Sequence, residues 1–447
     1  MEICPPTLPL EIIALIVDIL ASDGVPDLQS VKSCALTCKS VLPFCRRHIF
    51  ASISLVFMSD CLELFDALAG SPDIAMCVRH LELGESFVEY DGEARADPVT
   101  FAHLSQMIDA FTVLESVEVL QLQEGSTKIY WENIRPEMQN LITRLIRAPT
   151  LKSLTLRKLG AIPWACLIGL SDKLRHLHLH SVTIDNNDEH TELVPANPIR
   201  LERYSINEKS LVATNALLEA TYPSGAPIFH FGDLKHLRIY SKRIITHEDF
   251  LYKLLAAADQ LSTLELEGDS VRMLLRTSIL ISARQKVPRQ VVLCFSDIFG
   301  PGTMVDALLA LGGNALGAAE ELVIYVNGWG WALGELDNCT RTGERIDGLL
   351  TDKGVWPHLK AVKLIMHATA WNRLRSDGDN PEGAETLSQS YIRTHFPALS
   401  SSESISFNCA INVPGYASGP AHAIRTTTFT LDSGFTSAFH LSDDEPH

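Results

Sequence analysis

The chain has 447 residues, 46% hydrophobic and 20% charged, with a formal net charge of −17. That is the composition of a folded protein and not of a disordered one. The acidic balance has the wrong sign for displacing counterions from nucleic acid or for docking on an anionic membrane, so neither is expected as a partner.

On length alone about three domains are expected, although repeat arrays outgrow that rule because each unit packs only on its neighbours. The N-terminus Met1-Glu2-Ile3-Cys4-Pro5 lacks a basic leader region, and the first apolar stretch is broken by Glu11 and Asp18. Neither a secretory signal nor a membrane span is expected. The ten cysteines show no framework spacing, so they are expected to be reduced thiols of a cytoplasmic or nuclear protein.

Three short helices are predicted in the first fifty residues. Pro9 suits a first helical turn with Thr7 as cap, and Ile12, Ile13, Ile16, Ile19 and Leu20 recur at helical spacing up to Asp23-Gly24. A second run carries Leu28, Val31, Cys34, Ala35 and Cys38, and a third carries Val41, Leu42, Phe44, Ile49 and Phe50. A unit this small buries little surface and needs something to pack against. It is expected either to dock on a partner or to cap the rest of the chain.

The pattern Leu8-Pro9-x-Glu11-Ile12, then Leu28 to Cys34, Cys38-Lys39-Ser40, Leu42-Pro43 and His48-Ile49-Phe50 resembles an F-box. It is especially similar to the F-box proteins abundant in mushroom-forming fungi. The resemblance covers about a tenth of the chain and implies docking on the SKP adaptor of a cullin–RING ubiquitin ligase. It also implies that Leu8, Pro9, Ile12, Ile13, Leu28, Val31 and Cys38 lie at or near the adaptor contact. The sequence departs from the family at Val41, where a Trp often follows the triplet.

From residue 78 an aliphatic pattern recurs, with spacings of three and then two. Clear copies are Val78-Leu81-Leu83, Leu151-Leu154-Leu156, Leu174-Leu177-Leu179, Leu234-Leu237-Ile239, Leu261-Leu264-Leu266 and Leu359-Val362-Leu364. Leu114-Val117-Val119 and Leu201-Tyr204-Ile206 fit more loosely, and weaker copies end in Leu293-Phe295, Leu322-Ile324 and Ile405-Phe407. The last two positions of each copy share one face of a strand. Helical spacing fills 101–111, 138–146, 250–257 and 304–311. Strand and helix alternating at intervals of about 23–43 residues is a leucine-rich repeat signature. The rhythm is irregular, and only Asn207 and Asn408 come near the usual post-strand Asn. The plainer alternative is an ordinary α/β sheet with chance leucine spacing.

The predicted fold is therefore α/β: a three-helix F-box-like module (1–52), an irregular leucine-rich repeat solenoid with parallel strands (53–430) and a mobile acidic tail (431–447). Polar breaks are expected at 85–99, 221–227 and 371–390. If the paired aliphatics face the core, their neighbours face outward. The expected target-binding row includes Arg157, His176, His178, His180, Arg203, His236, Arg238, Tyr240 and Glu265. Arg157, Arg203 and Arg238 would suit a phosphate. The plainer reading of the row is a solvated polar face.

Two constellations invite a metal: the His176-His178-His180 row, and Cys34, Cys38, Cys45 and His48 as a zinc set. Neither has a matching ligand spacing, and Cys34 and Cys38 sit where helix packing wants small apolar groups. Gly328-Trp329-Gly330-Trp331 is read as a loop anchor ahead of a ligand-touching tip. Asp377-Gly378-Asp379 fails the calcium-loop register, with Ser388 where the closing Glu belongs. No nucleophile elbow, Walker loop or His-Glu-x-x-His occurs, so no cofactor and no catalysis are expected. The expected function is the substrate-recognition subunit of an SKP–cullin–F-box ubiquitin ligase holding an unknown protein target. The alternative is a non-ligase repeat scaffold capped by its N-terminal helices.

Overall fold

The structure, a computed structural model, describes residues 8–22, 28–56, 58–84, 98–119, 128–185, 197–222, 224–241, 248–268, 288–295, 301–312, 315–327, 336–367, 393–413 and 427–430. The chain is α/β and falls into two compact units. One holds residues 1–199, 220–228 and 436–447, the other 200–219 and 229–435.

The first unit opens with three helices, α1 (Leu10–Ser22), α2 (Leu28–Ala35) and α3 (Leu42–Ile49). The carbonyl of Pro9 accepts the N–H groups of Ile12 and Ile13 at 3.1 and 3.2 Å, so Pro9 starts α1 without needing a donor of its own. The helices close around Val17, Val31, Val41 and Cys45, with Ile13, Leu20, Phe44 and Ile49 packed outside them.

Five parallel strands follow: β1 (Ser52–Leu55), β2 (His80–Leu83), β3 (Ser116–Val119), β4 (Ser153–Arg157) and β5 (His176–His180). The second unit holds seven more: β6 (Arg203–Asn207), β7 (His236–Ser241), β8 (Thr263–Gly268), β9 (Gln290–Phe295), β10 (Glu321–Asn327), β11 (Ala361–His367) and β12 (Ser406–Val413). An antiparallel strand, β13 (Thr427–Thr430), pairs with β12. In each unit the strands are ordered as they occur in the chain. Every crossover therefore steps the same way, without the reversal that makes a switch-point crevice in doubly wound sheets.

The recurrent aliphatics explain this register. Leu81, Val117, Leu154 and Leu177 stand side by side, as do Leu83, Val119, Leu156 and Leu179. In the second unit Tyr204, Leu237, Leu264, Val291, Leu322, Val362 and Phe407 form one row and Ile206, Ile239, Leu266, Leu293, Ile324, Leu364 and Cys409 the next. All of these are buried. Tyr204 fits a leucine position because its hydroxyl donates to Thr214 Oγ1 at 2.6 Å, which removes the cost of burying it.

The copies also share backbone geometry. The first aliphatic closes a turn on the residue three before it at Val78, Leu151, Leu174, Leu234, Leu261 and Leu359, with N···O distances of 3.0–3.4 Å. Ahead of the strands, the carbonyls of Ala51, Arg79, Glu115, Lys152, Glu202, Lys235, Arg289 and Glu320 each accept two consecutive N–H groups from the next strand. At the far end, Lys158, Ser181 and Gly268 occupy the same position and all have positive φ (57°, 57° and 68°).

Helices fill the crossovers. In the first unit α4 (Met58–Gly70), α5 (Pro98–Ala110) and α6 (Pro136–Ile146) pack in succession, and the short α7 (Trp164–Ile168) follows. In the second, α8 (Leu211–Glu219) packs on α9 (Glu248–Ala257), and α10 (Pro301–Gly312) and α11 (Leu336–Thr351) pack together with the short α12 (Pro397–Ser400) against α11.

Several details differ from the sequence expectation. The pattern starts one strand earlier, with Ile53 and Leu55 opposite Leu81 and Leu83. Two weak copies are out of step: in β9 the paired positions are Val291 and Leu293, and in β12 they are Phe407 and Cys409. Asn207 does end a strand, where its Oδ1 accepts from Ser210 Oγ at 3.0 Å, but Asn408 sits within β12 opposite Lys363. Ser205 and Asn207, expected outward, are buried. The turn at 221–227 is present, closed by Tyr222 N–H on Ala226 O at 2.8 Å with Gly225 at φ +81°. Thr7, Asp23-Gly24, the Gly328–Trp331 and Asp377–Asp379 motifs, most of the break at 85–99, the break at 371–390 and the tail at 431–447 lie outside the described residues. Among the described residues no helix is long and apolar enough to cross a membrane.

Candidate functional site

Two surfaces stand out, the N-terminal helices and the outward row of the strands. α1 has more aliphatic residues than one core can use. Ile13, Val17 and Leu20 turn into the helical core. Ile12, Leu15, Ile16 and Ile19 form a second stripe, roughly a third of a turn round the helix at 100° per residue. That stripe stays in solvent: Ile12 is 43% exposed, Leu15 54%, Ile16 44% and Ile19 49%, and Leu8 just before the helix is 59% exposed. On the turn after α2, Leu36 is 89% exposed. A contiguous apolar stripe in water is the usual mark of a covered surface.

Of the residues the resemblance places at a contact, Leu8, Pro9, Ile12 and Cys38 are exposed and Leu28 is half-buried. Val31 is a correction. It is fully buried, because it fills the space between α1 and α3, and Ile13 packs against it. Val31 can act on a partner only by holding α1 in place, whereas Ile13 is partly buried. Val41, at the family's Trp position, is also buried in that core.

The module is tied together by charge. Asp18 on α1 binds Arg47 and lies 2.7 Å from His48 Nε2, both on α3. Burial pushes the Asp18 carboxyl up, but the bonds from His48 and Arg47 outweigh it and hold it below its usual value. Arg46 reaches out of the module, binding Asp73 at 2.8 Å on the 3-10 helix Pro72–Cys77 and Ser71 Oγ at 3.4 Å just before it. His48 is thus engaged with Asp18 and Cys45 is sealed in the core, while Cys38 is exposed. Among the described residues no three His, Cys, Asp or Glu side chains gather closely enough to hold a metal ion.

On the strands of the first unit, His176, His178 and His180 alternate with buried Leu177 and Leu179 and are half-buried. They stand opposite Ser153, Thr155 and Arg157. Arg157 is engaged by Glu118 at 3.1 Å. At the start of β2, burial pushes the His80 imidazole below its usual value.

In the second unit Arg238 sits between two carboxylates, with Nε 3.1 Å from Glu265 and Nη2 2.9 Å from Glu267. Burial raises the Glu265 carboxyl although Arg238 opposes it. Burial, then Glu265 and Glu267, push the Cys294 thiol well up on the next strand. His236 is pushed below its usual value by burial and by Arg203 and Lys235. Arg203 is exposed and Tyr240 half-buried. Two of the three arginines suited to a phosphate therefore already have carboxylate partners.

No protein-family profile matches the chain, and no curated protein does either.

Sequence reasoning missed Glu118 as the partner of Arg157 because the pair forms only once β3 and β4 are aligned. The exposed stripe of α1 had a visible signal. Leu15, Ile16 and Ile19 come in addition to the Ile13, Val17 and Leu20 that one core needs.

Proposed function

We propose that this chain is the substrate-recognition subunit of an SKP–cullin–F-box ubiquitin ligase. The three N-terminal helices dock on the SKP adaptor, and the strands form a degenerate leucine-rich repeat array whose outward row holds a protein target in the cytoplasm or nucleus. The chain does no chemistry itself; it acts by proximity, raising the effective concentration of target lysines near the enzyme.

The observation that carries this reading is the unfilled apolar stripe of α1. Burying a large aliphatic side chain is favourable by about 1.5–3 kcal/mol. A helix that leaves Ile12, Leu15, Ile16 and Ile19 in water is incomplete without a partner. The uniform stepping of the strands in each unit supports a repeat array, and the polar outward row supports recognition.

The test is titration of the full-length chain with the SKP adaptor of its own organism. Ile12→Asp and Ile16→Asp each place a charge on the stripe and should weaken binding at least about 100-fold, on the scale of an interface hot spot. Leu309→Asp, at an exposed position on α10, should not. Equal binding by all variants would exclude α1 as the docking surface.

One observation favours the second reading, a scaffold with capping helices: Arg46 anchors α3 to the segment that leads into β2. That reading leaves the exposed stripe without a role and gives no adaptor complex.

A further inference from the structure

The outward positions of the second unit do not stay polar. From β6 to β8 they carry Arg203, His236, Arg238, Thr263, Glu265 and Glu267. On the next two strands the alternation stops. β9 is apolar without a break from Val291 to Phe295, and β10 from Leu322 to Val326. A strand with one wet face alternates, whereas an unbroken apolar run belongs to a strand that is dry on both faces.

The register gathers the extra apolar residues into one patch. Val292 pairs with Val323, and Cys294, Tyr325 and Ile365 stand in the row beside them. Val292, Cys294 and Ile365 form its floor, each 8% exposed, while Val323 and Tyr325 are only half-buried. Charges of opposite sign bound the patch. On β8, Glu265 lies opposite Val292 and Glu267 opposite Cys294. These two carboxylates share one guanidinium, that of Arg238, so this side is acidic. On β11 the half-buried Lys363 lies opposite Val323 and makes the other side basic.

We propose that this patch holds an extended segment of a target protein that carries a basic, an apolar and an acidic residue at alternate positions. Neighbouring strands lie about 4.8 Å apart, so β8 to β11 spans roughly 14 Å, and an extended chain covers that in about four residues. Alternate side chains of such a segment point the same way. The basic one meets Glu265 and Glu267, the apolar one rests on Val292, Val323 and Tyr325, and the acidic one meets Lys363. The inference rests on the reading that the outward row holds a protein target, and it names the class of segment held.

The test is fluorescence anisotropy of the full-length chain with the labelled peptide Ser-Lys-Ser-Leu-Ser-Glu-Ser. Serine in place of the leucine should weaken binding at least about tenfold. Glutamate in place of the lysine should weaken it about fivefold or more. Val323→Asp should abolish binding. Lys363→Glu, which keeps the question open to test if Val323→Asp does not fold, should reverse one preference and favour a peptide with lysine at both ends. No binding of the parent peptide, equal binding of the serine peptide, or an unchanged preference in Lys363→Glu would overturn the proposal. A chain that self-associates in analytical ultracentrifugation and becomes monomeric as Val323→Asp would assign the face to a second copy instead. Adaptor titration separates the two readings. A failed peptide beside an intact adaptor complex removes this segment and leaves the ligase reading, whereas a bound peptide without an adaptor complex leaves a scaffold with this specificity.

Discussion

Asp347 on α11 is 3% exposed, and its two oxygens accept the N–H groups of Ala398 and Leu399, each at 2.7 Å. They cap the first turn of α12 and bind the two helices to each other. Asp347→Ala leaves those buried donors without an acceptor, and chemical denaturation should show a loss of about 1–3 kcal/mol. Asp347→Asn keeps one acceptor and should lose less. Two histidines give a pH dependence of definite sign. His80 and His236 are held below their ordinary value of 6.5, by burial first. A depressed histidine contributes stability that is present above its unfolded-state value and is lost as pH falls through the lower folded-state value. Denaturation midpoints should therefore drop as pH falls from 6.5 towards 5. His236→Gln should flatten that slope, and an unchanged slope would show that His236 does not titrate differently on folding.

The strand–helix unit repeats in its residues and also in its hydrogen bonds. Leu237 is 1% exposed in the row between Tyr204 and Leu264. Leu237→Ala should cost about 2–5 kcal/mol by thermal or chemical denaturation, the range for an interior leucine. Gly268 takes φ +68° at the position that Lys158 and Ser181 hold in other copies. A β-branched side chain is strained there, so Gly268→Val should cost about 1–2 kcal/mol and Gly268→Asn clearly less. Most strands were legible because a buried position tolerates little besides Leu, Val or Ile. The loose copy and the miss both follow from chemistry. Tyr204 serves as a core residue because its hydroxyl donates a hydrogen bond to Thr214 Oγ1, and Cys409, which was missed, passes for an aliphatic because a buried thiol behaves as a small hydrophobe. The helices α4, α8 and α11 lie outside the segments where helical spacing was read from the sequence.

At the scale of the whole molecule, the net charge of −17 sets the expected salt response. Electrostatic attraction of any target to the outward row should weaken as salt rises, whereas docking through the apolar stripe of α1 should change little. Most of the outward row was legible from strand alternation, Ser205 and Asn207 excepted, but its ion pairs were not. Glu118 with Arg157, and Arg238 between Glu265 and Glu267, form across neighbouring strands. Of the residues that the F-box resemblance implies at a contact, Leu8, Pro9, Ile12 and Cys38 are exposed, while Val31 is buried and Ile13 partly buried because three short helices must first build a core of their own. The most direct measurement is hydrogen exchange by mass spectrometry on the full-length chain, with and without the SKP adaptor of its organism. Slowed exchange across Leu10–Ser22 and the turn at Leu36, with the strands unchanged, is the expected result. No complex, or protection confined to the strands with α1 exchanging as before, would contradict adaptor docking through the N-terminal helices.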